Sequence, residues 1–286
     1  MKKSLILRRR RLGLTSCREV CKASQTGLKF GRNDQMTDSD FEGIDMVIRW
    51  GCTSTVPIDE VLNTATAIHK VSDKANFRSI LCSDPSTKDN TPYTITDYDS
   101  AMEYILNNMS PLFVRPRLHS QGRRAYLVEN EDRLKKALTA CGEGWYASEY
   151  INKKQEFRVF VVQGRVVWIA NKIPADPDAI CWNVAQGGKF ENVSWGHWPE
   201  NVIRVAVNSF KKSGLDFAGV DIMVDTDGKA WNIEVNSAPS MTSPYRQSCT
   251  AKVFDYINIH GKAHMEFDAD YGGWRHFIHP AIWSRK

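Results

Sequence analysis

Apolar and polar side chains alternate along several stretches of the chain, and the sharpest alternation runs from Gly219 to Asn236. Two period-two segments there flank Asp227-Gly228, a pair that accepts the positive φ values of a two-residue type I′ hairpin turn. With that pair in the turn, Thr226 faces Lys229 and Asp221 falls opposite Glu234. Successive side chains of a strand point to opposite faces. One face is therefore expected to carry Val220, Ile222, Val224, Trp231, Ile233 and Val235. The other carries Asp221, Met223, Asp225, Asn232, Glu234 and Asn236.

A second hairpin is predicted from Arg158–Val162 and Arg165–Ile169 around Gln163-Gly164. Upstream, residues 4–9 read as a strand leading through Gly13 into a helix, with Ser16 and Glu19 as a capping box and Gly27 as its end. Asp45 to Trp50 has the apolar character of a buried strand. Gly51 to Thr55 reads as a loop and Pro57 to about Lys70 as a helix. The next helix opens at Lys74, with Ser72 or Asp73 as N-cap. This β-α-β-α order predicts a small N-terminal domain with ligands at the carboxyl ends of its strands. Arg10, Arg11, Arg49 and the Gly51–Ser54 loop fall on that side.

Composition narrows the class. At 286 residues the chain suits about two domains and can bury a large core. There is no apolar run of about 18 residues, so no membrane-spanning helix is expected. Arg8 to Arg11 resembles the start of a twin-arginine signal, but Thr15 to Glu19 is polar, and no signal peptide is expected. Seven cysteines at scattered spacings fit reduced thiols and a cytoplasmic protein. Neither Cys17 with Cys21 nor His264, His276 and His279 are spaced as metal ligands.

Charge is lopsided. Residues 1–33 hold ten Lys or Arg and one acid, Glu19, whereas the rest of the chain is weakly acidic. Such an end attracts anions, whether nucleic acid, acidic peptide or a carboxylate or phosphorylated substrate. It lacks interleaved aromatics, so nucleic acid is not favoured.

The hairpin poses a chemical question. Carboxylates directly opposite on paired strands have Cβ atoms roughly 5 Å apart and destabilise the sheet. A divalent cation turns that repulsion into attraction, and Asp, Glu and Asn oxygens suit a hard ion such as Mg²⁺ that keeps positions for phosphates. An acidic face in water is the alternative that the pattern alone leaves open.

Asp221, Glu234-x-Asn236 and Ser237 to Met241 resemble the metal-binding end of the ATP-grasp ligases. The likeness is greatest to the ribosomal-protein glutamate-tail ligase branch and, through Asn236 to Thr242, extends to D-alanine–D-alanine ligases. It implies that Asp221, Glu234 and Asn236 hold Mg²⁺ (or Mn²⁺) at the phosphates of ATP. By the same resemblance Lys74 reaches the phosphates, as does Arg115 in Pro111–Pro116, where relatives carry Lys. Pro92 matches a strand entry. Ser120 to Arg124 is similar to a phosphate loop and brings Gln121 and Gly122, although it holds a single glycine. Glu149, Tyr150 and Ile151 resemble the hinge at the adenine edge, Glu156 the ribose ligand and Lys172 the γ-phosphate contact. Asn183 with Gly187-Gly188 matches the loop that follows. The resemblance spans about residues 70 to 243.

One departure stands out. D-alanine–D-alanine ligases have an Arg two residues before the metal-binding Asp, and this chain has Gly219. The oxyanion role then passes to another cation, for which Arg158 is the candidate.

The implied fold is α+β / α/β: an ATP-grasp fold in which two α+β subdomains grip ATP behind a small βαβα N-terminal domain. Expected divisions are 1–71 for that domain, 72–148 for the lid and 149–286 for the catalytic subdomain. The tail from Pro244, rich in aromatics (Phe254, Tyr256, Phe267, Tyr271, Trp274, Phe277, Trp283), is expected to pack onto the body. The implied activity is an ATP- and Mg-dependent carboxylate–amine ligase working through an acyl phosphate, with Arg158 and Lys172 at the reacting groups. Its partners would be small-molecule or peptide carboxylates and amines, anionic ones included, with room for a homo-oligomer. The alternatives are a kinase or phosphotransferase on the same fold, or a nucleotide- or nucleic-acid-binding module without turnover.

Overall fold

In the computed structural model, residues 1–10, 13–108, 110–118, 124–142, 144–176, 179–182 and 187–262 are described. The first sheet is parallel. Strand β1 (Ser4–Arg8) lies between β2 (Lys29–Arg32) and β3 (Met46–Trp50), and β4 (Val61–Leu62) extends the β3 edge. Every residue of β1 and β3 is buried, as expected of parallel strands covered on both faces. The N-terminal order is thus βαβ with two further short strands.

Helix α1 (Leu14–Ala23) begins behind Gly13, whose φ of 69° turns the chain into it without a side-chain cap. Ser16 is not that cap. It sits inside the helix, where its hydroxyl accepts from Met241 N at 3.0 Å and donates to Met241 O at 3.3 Å. Glu19 pairs with Arg18 and Lys22 instead of completing a capping box. Satisfying a buried backbone amide far along the chain has won over the local signal. Gly27 does not end the helix either; that falls to Ser24.

The helix expected from Pro57 is also later than its signal. Val61 and Leu62 pair with Val47 and Ile48, and residues 51–60 form an irregular connection without a helix. Helix α2 (Ala65–Ser72) starts only after Thr64, whose hydroxyl accepts from Ala67 N. Helix α3 (Lys74–Ser83) follows with Asp73 as its N-cap, accepting from Asn76 N at 3.1 Å.

A second, antiparallel sheet comes next: β5 (Thr94–Ile95), helix α4 (Tyr98–Asn108), β6 (Leu112–Pro116), β7 (Tyr126–Val128), helix α5 (Glu131–Cys141) and β8 (Trp145–Glu149). Strand order is β5-β8-β6-β7. It has its own small core, with Ile95, Leu112, Val114 and Leu134 buried.

The largest sheet contains β9 (Lys153–Val162), β10 (Arg165–Ile173), β11 (Lys189–Asn192), β12 (Phe217–Asp225) and β13 (Ala230–Asn236), in the order β11-β10-β9-β12-β13. Helix α6 (Glu200–Ser213) packs Val202, Ile203, Val205, Ala206 and Phe210 into the main core beside this sheet. Phe160, Trp168 and Phe217 line part of the opposite face. There Phe217 lies 5.3 Å from both Trp50 and Phe254, the latter on helix α7 (Pro244–His260). This aromatic cluster joins the first sheet, the largest sheet and α7. The rest of that face opens into a cavity.

The β9–β10 turn has positive φ at Gln163 and Gly164, the I′ geometry. The β12–β13 turn does not. Gly228 N donates to Asp225 O and Asp225 N to Lys229 O, which leaves a three-residue loop closed by Gly228 at φ 83°. The Asp225 carboxylate takes over the turn, accepting from Asp227 N, Lys229 N and Trp231 Nε1. A bulge near Ile233 then restores the count, so Asp221 does stand opposite Glu234. Between bulge and turn the faces are exchanged. Trp231 pairs with Met223 on the cavity face, and Asn232 pairs with Ile222 and is buried.

No helix among the described residues is long and apolar enough to cross a membrane. Arg11, His264, His276, His279 and the aromatics from Phe267 to Trp283 lie outside the described residues.

Candidate active site

A cavity of about 1130 Å³ opens where the second sheet faces the largest one, and it reaches the start of α1. One wall is the polar part of the largest sheet. Glu156 and Arg158 alternate on β9, Lys172 faces them from β10, and Asp221 lies across from Arg158 on β12. Glu234 and Asn236 continue the row on β13. The facing wall carries Phe113, Arg115 and Tyr146, with Glu149, Tyr150 and Ile151 at the end of β8. Lys74 and Arg78 enter from α3, one turn apart.

These side chains form a chain of ion pairs. Arg158 donates to both Asp221 oxygens, at 2.7 and 2.8 Å, and Lys172 Nζ approaches the same carboxylate at 3.0 Å. Lys172 also bonds Glu156, whose other oxygen receives Lys153 at 2.7 Å. Lys74 pairs with Glu234 at 3.0 Å and donates to Val235 O. Burial alone would push the Asp221 and Glu156 carboxyls up. Arg158 and Lys172 hold Asp221 well below the usual carboxylate range, and Lys172 and Lys153 do the same for Glu156. Burial is the largest influence on Lys172 and Arg158 and works against their charge, but the surrounding carboxylates, Asp221 foremost with Glu156, together outweigh it and raise both.

Eight Lys or Arg side chains line the cavity against four carboxylates. Packing that much positive charge into a partly closed space is costly without an anion. Arg115 and Arg78 show the imbalance directly. Arg115 lies over Phe113 at 4.4 Å and meets Cys181 Sγ, and Arg78 donates to Ile233 O and stacks over Tyr146. Neither has a carboxylate at ion-pair distance among the described residues, and Arg115 Nε and Arg78 Nη1 are buried without partners.

Asp221, Glu234 and Asn236 offer two opposed carboxylates and an amide oxygen beside open space. That donor set fits a hard cation with room left for other oxygens. Both carboxylates already have cationic partners, Arg158 and Lys172 for Asp221 and Lys74 for Glu234. No cluster of three or more His, Cys, Asp or Glu occurs among the described residues; the third donor here is an amide.

Most residues singled out in the sequence meet at this cavity: Lys74, Arg115, Glu149, Tyr150, Ile151, Glu156, Arg158, Lys172, Asp221, Glu234 and Asn236 all line it. One Glu149 oxygen already accepts from Tyr93 N at 2.9 Å, tying β5 to the end of β8. Gln121, Gly122 and Asn183 lie outside the described residues. Arg49 is not in the cavity wall. It shares a face with Leu7, and its guanidinium holds Ser54 O and Cys52 O. Arg10 is exposed beside Asp34, while its neighbour Arg9 reaches the cavity. Sequence reasoning missed Lys153, Arg78 and Phe190. Arg78 had a signal, since it follows Lys74 by four residues on one helix face.

Residues 65–257 match the RimK-like ATP-grasp domain. Curated relatives described as probable alpha-L-glutamate ligases come from Hahella chejuensis and Aeromonas salmonicida. The first is 27% identical over 205 residues (68% of this chain, 66% of the relative), the second 29% over 206 (69% and 67%). The chain thus spans about two thirds of the length of these relatives. Among solved structures, a D-alanine–D-alanine ligase from Bacillus anthracis superposes with a TM-score of 0.68 at 17% identity, covering 92% of this chain and 99% of that one. The ATP-grasp ligase PsnB complexed with its minimal precursor gives 0.65 at 12%, covering 91% and 100%. By its matched residues, three-sheet architecture and site, the chain belongs to the RimK-like ATP-grasp family.

Proposed function

We propose that this protein is an ATP-dependent carboxylate–amine ligase. The observation that carries this reading is the cationic excess in one cavity, beside the opposed pair Asp221 and Glu234 with Asn236. A nucleoside triphosphate supplies the missing negative charge, and catalysis of its phosphoryl transfer is chiefly positioning and electrostatics.

In the proposed reaction a substrate carboxylate oxygen attacks the γ-phosphorus and the bond to ADP breaks. An amine then attacks the carbonyl carbon of the acyl phosphate, loses a proton, and phosphate leaves. Lys74, Arg78, Arg115 and Lys172 draw the phosphates into line. Arg158, next to the transfer point, stabilises the oxyanion. Tyr150 and Ile151 frame the base, and Glu156 is positioned for the ribose hydroxyls. Asp221, Glu234 and Asn236 would hold Mg²⁺ or Mn²⁺, which neutralises phosphate oxygens when bound. Residues 1–71 serve as the domain that admits the other substrates, 72–148 as the lid and 149–286 as the catalytic body. The relatives' names favour small-molecule or peptide acids and amines.

Hydroxylamine tests the reading, because it captures an acyl phosphate as a hydroxamate. Incubation with Mg·ATP, hydroxylamine and a panel of amino acids and peptides should give a hydroxamate and equimolar ADP. A phosphorylated product without hydroxamate would instead establish a phosphotransferase, and absence of ATP binding would remove both.

A further inference from the structure

Arg246 is the most buried cation among the described residues. It lies in the first turn of α7 with 2% of its surface exposed, and it has no carboxylate at ion-pair distance among the described residues. Its Nη1 donates to the neutral Asn192 Oδ1 at 2.7 Å. Burial of a cation without a carboxylate partner is unfavourable.

Its neighbours show where that field falls. The Arg246 Cζ lies 5.7 Å from the ring centroids of both Phe190 and Trp168. The same Phe190 ring receives Arg158 Cζ at 4.9 Å and Lys172 Nζ at 5.8 Å. Arg158, Lys172 and Phe190 line the cavity whereas Arg246 does not, so Arg246 stands behind them. Burial first, and Arg158 second, lower the proton affinity of Arg246, the mark of two cations pressed together. In the connected group Lys153, Arg158, Lys172 and Arg246, four cations share two carboxylates, Glu156 and Asp221. An anion at the Arg158 end would offset that excess.

We propose that Arg246 is a positioning residue: through the shared Phe190 ring and by repulsion it holds the Arg158 guanidinium toward the cavity, to meet a phosphoryl-type oxyanion. This rests on the ligase reading, since that oxyanion is the group in transfer. Arg246 touches no substrate; it sets the potential and orientation of Arg158.

The test needs no knowledge of the acid or amine. Calorimetry on the full chain compares Mg·ADP alone with Mg·ADP plus aluminium fluoride, which mimics the phosphoryl group in transfer. Wild type should bind at least tenfold more tightly with the fluoride. Arg246→Met should keep Mg·ADP affinity within twofold and lose most of that gain. Arg246→Lys, which keeps the charge, should recover part of it. Phe190→Leu should lose it as well, and covers the case in which Arg246→Met does not fold. An undiminished gain in Arg246→Met overturns the proposal. So does an equal loss of Mg·ADP affinity and melting temperature, which marks a merely structural role, and so does a wild type that gains nothing from fluoride. A wild type that fails to bind Mg·ADP overturns the ligase reading itself.

Discussion

Pro239 occupies the space that a side chain at Gly219 would need. A Cβ added at Gly219 would sit 2.7 Å from Pro239 Cβ and 3.5 Å from Arg158 Cδ. The glycine is therefore what lets the loop after β13 lie against β12, next to the Asp221–Arg158 pair.

Gly219→Ala is expected to destabilise the fold by roughly 1–3 kcal/mol, the usual range for overpacking. It should also weaken Mg·ATP binding, because relief requires the loop from Ser237 to Met241 or Arg158 to move. Denaturant titration with calorimetry checks both, and a neutral substitution would mean the loop yields freely. Gly219→Arg should not restore the D-alanine ligase arrangement, since the larger side chain meets the same obstruction.

Asn63 is buried at φ 67°, and its amide ties the first sheet to the start of β12. Oδ1 accepts from Asp216 N and Phe217 N, and Nδ2 donates to Phe217 O. Asn63→Ala should cost roughly 3 kcal/mol or more by leaving buried backbone groups unpaired. Asn63→Gly relaxes the backbone but loses the same bonds, so it should be nearly as unstable. A stable Gly variant would show that backbone strain, not hydrogen bonding, governs the site.

Arg78→Met should weaken ATP binding by about tenfold, roughly 1.4 kcal/mol, and leave adenosine binding unchanged. The reason is that Arg78 lines the cavity without a carboxylate partner among the described residues. Equal losses for ATP and adenosine would instead place Arg78 at the base.

Two thiols on α1 predict an alkaline weakness. Burial, with Asp255 nearby, pushes Cys21 from 9.0 up to about 12, and burial drives Cys17 up as well. The folded state then holds protons that the unfolded chain releases, so stability is full below pH 9 and declines as pH rises toward 12. The slope reaches up to ~1.4 kcal/mol per pH unit per thiol. Cys21→Ala should flatten it by about one proton's worth in denaturant titrations between pH 8 and 11. An unchanged slope would refute the assignment.

The sequence made much of this site legible because strands carry it. Glu156 and Arg158 are two apart on β9, and Asp221 and Glu234 follow from hairpin pairing. Lys153 was invisible for a specific reason: strict alternation puts Lys154 on the Glu156 face, but a bulge between Gln155 and Lys153 brings in Lys153. Ser16 misled because its capping pattern is local, whereas its partner Met241 is 225 residues away. The helix expected at Pro57 lost to strand pairing of Val61 with Val47, a tertiary contact without a local signature. Phe190 and Arg246 carry no motif; only the folded chain brings them to Arg158.

The β12–β13 hairpin contains two irregularities of opposite sense, an extra loop residue at the turn and an extra strand residue near Ile233. A single-residue slip exchanges the faces of a strand. Loss of either irregularity alone would swing Glu234 away from Asp221, whereas loss of both would leave the pair facing. The hairpin thus works as a vernier, with one scale at each end. A one-residue change of register at either end of the hairpin should therefore keep Glu234 opposite Asp221 only when the other end shifts with it.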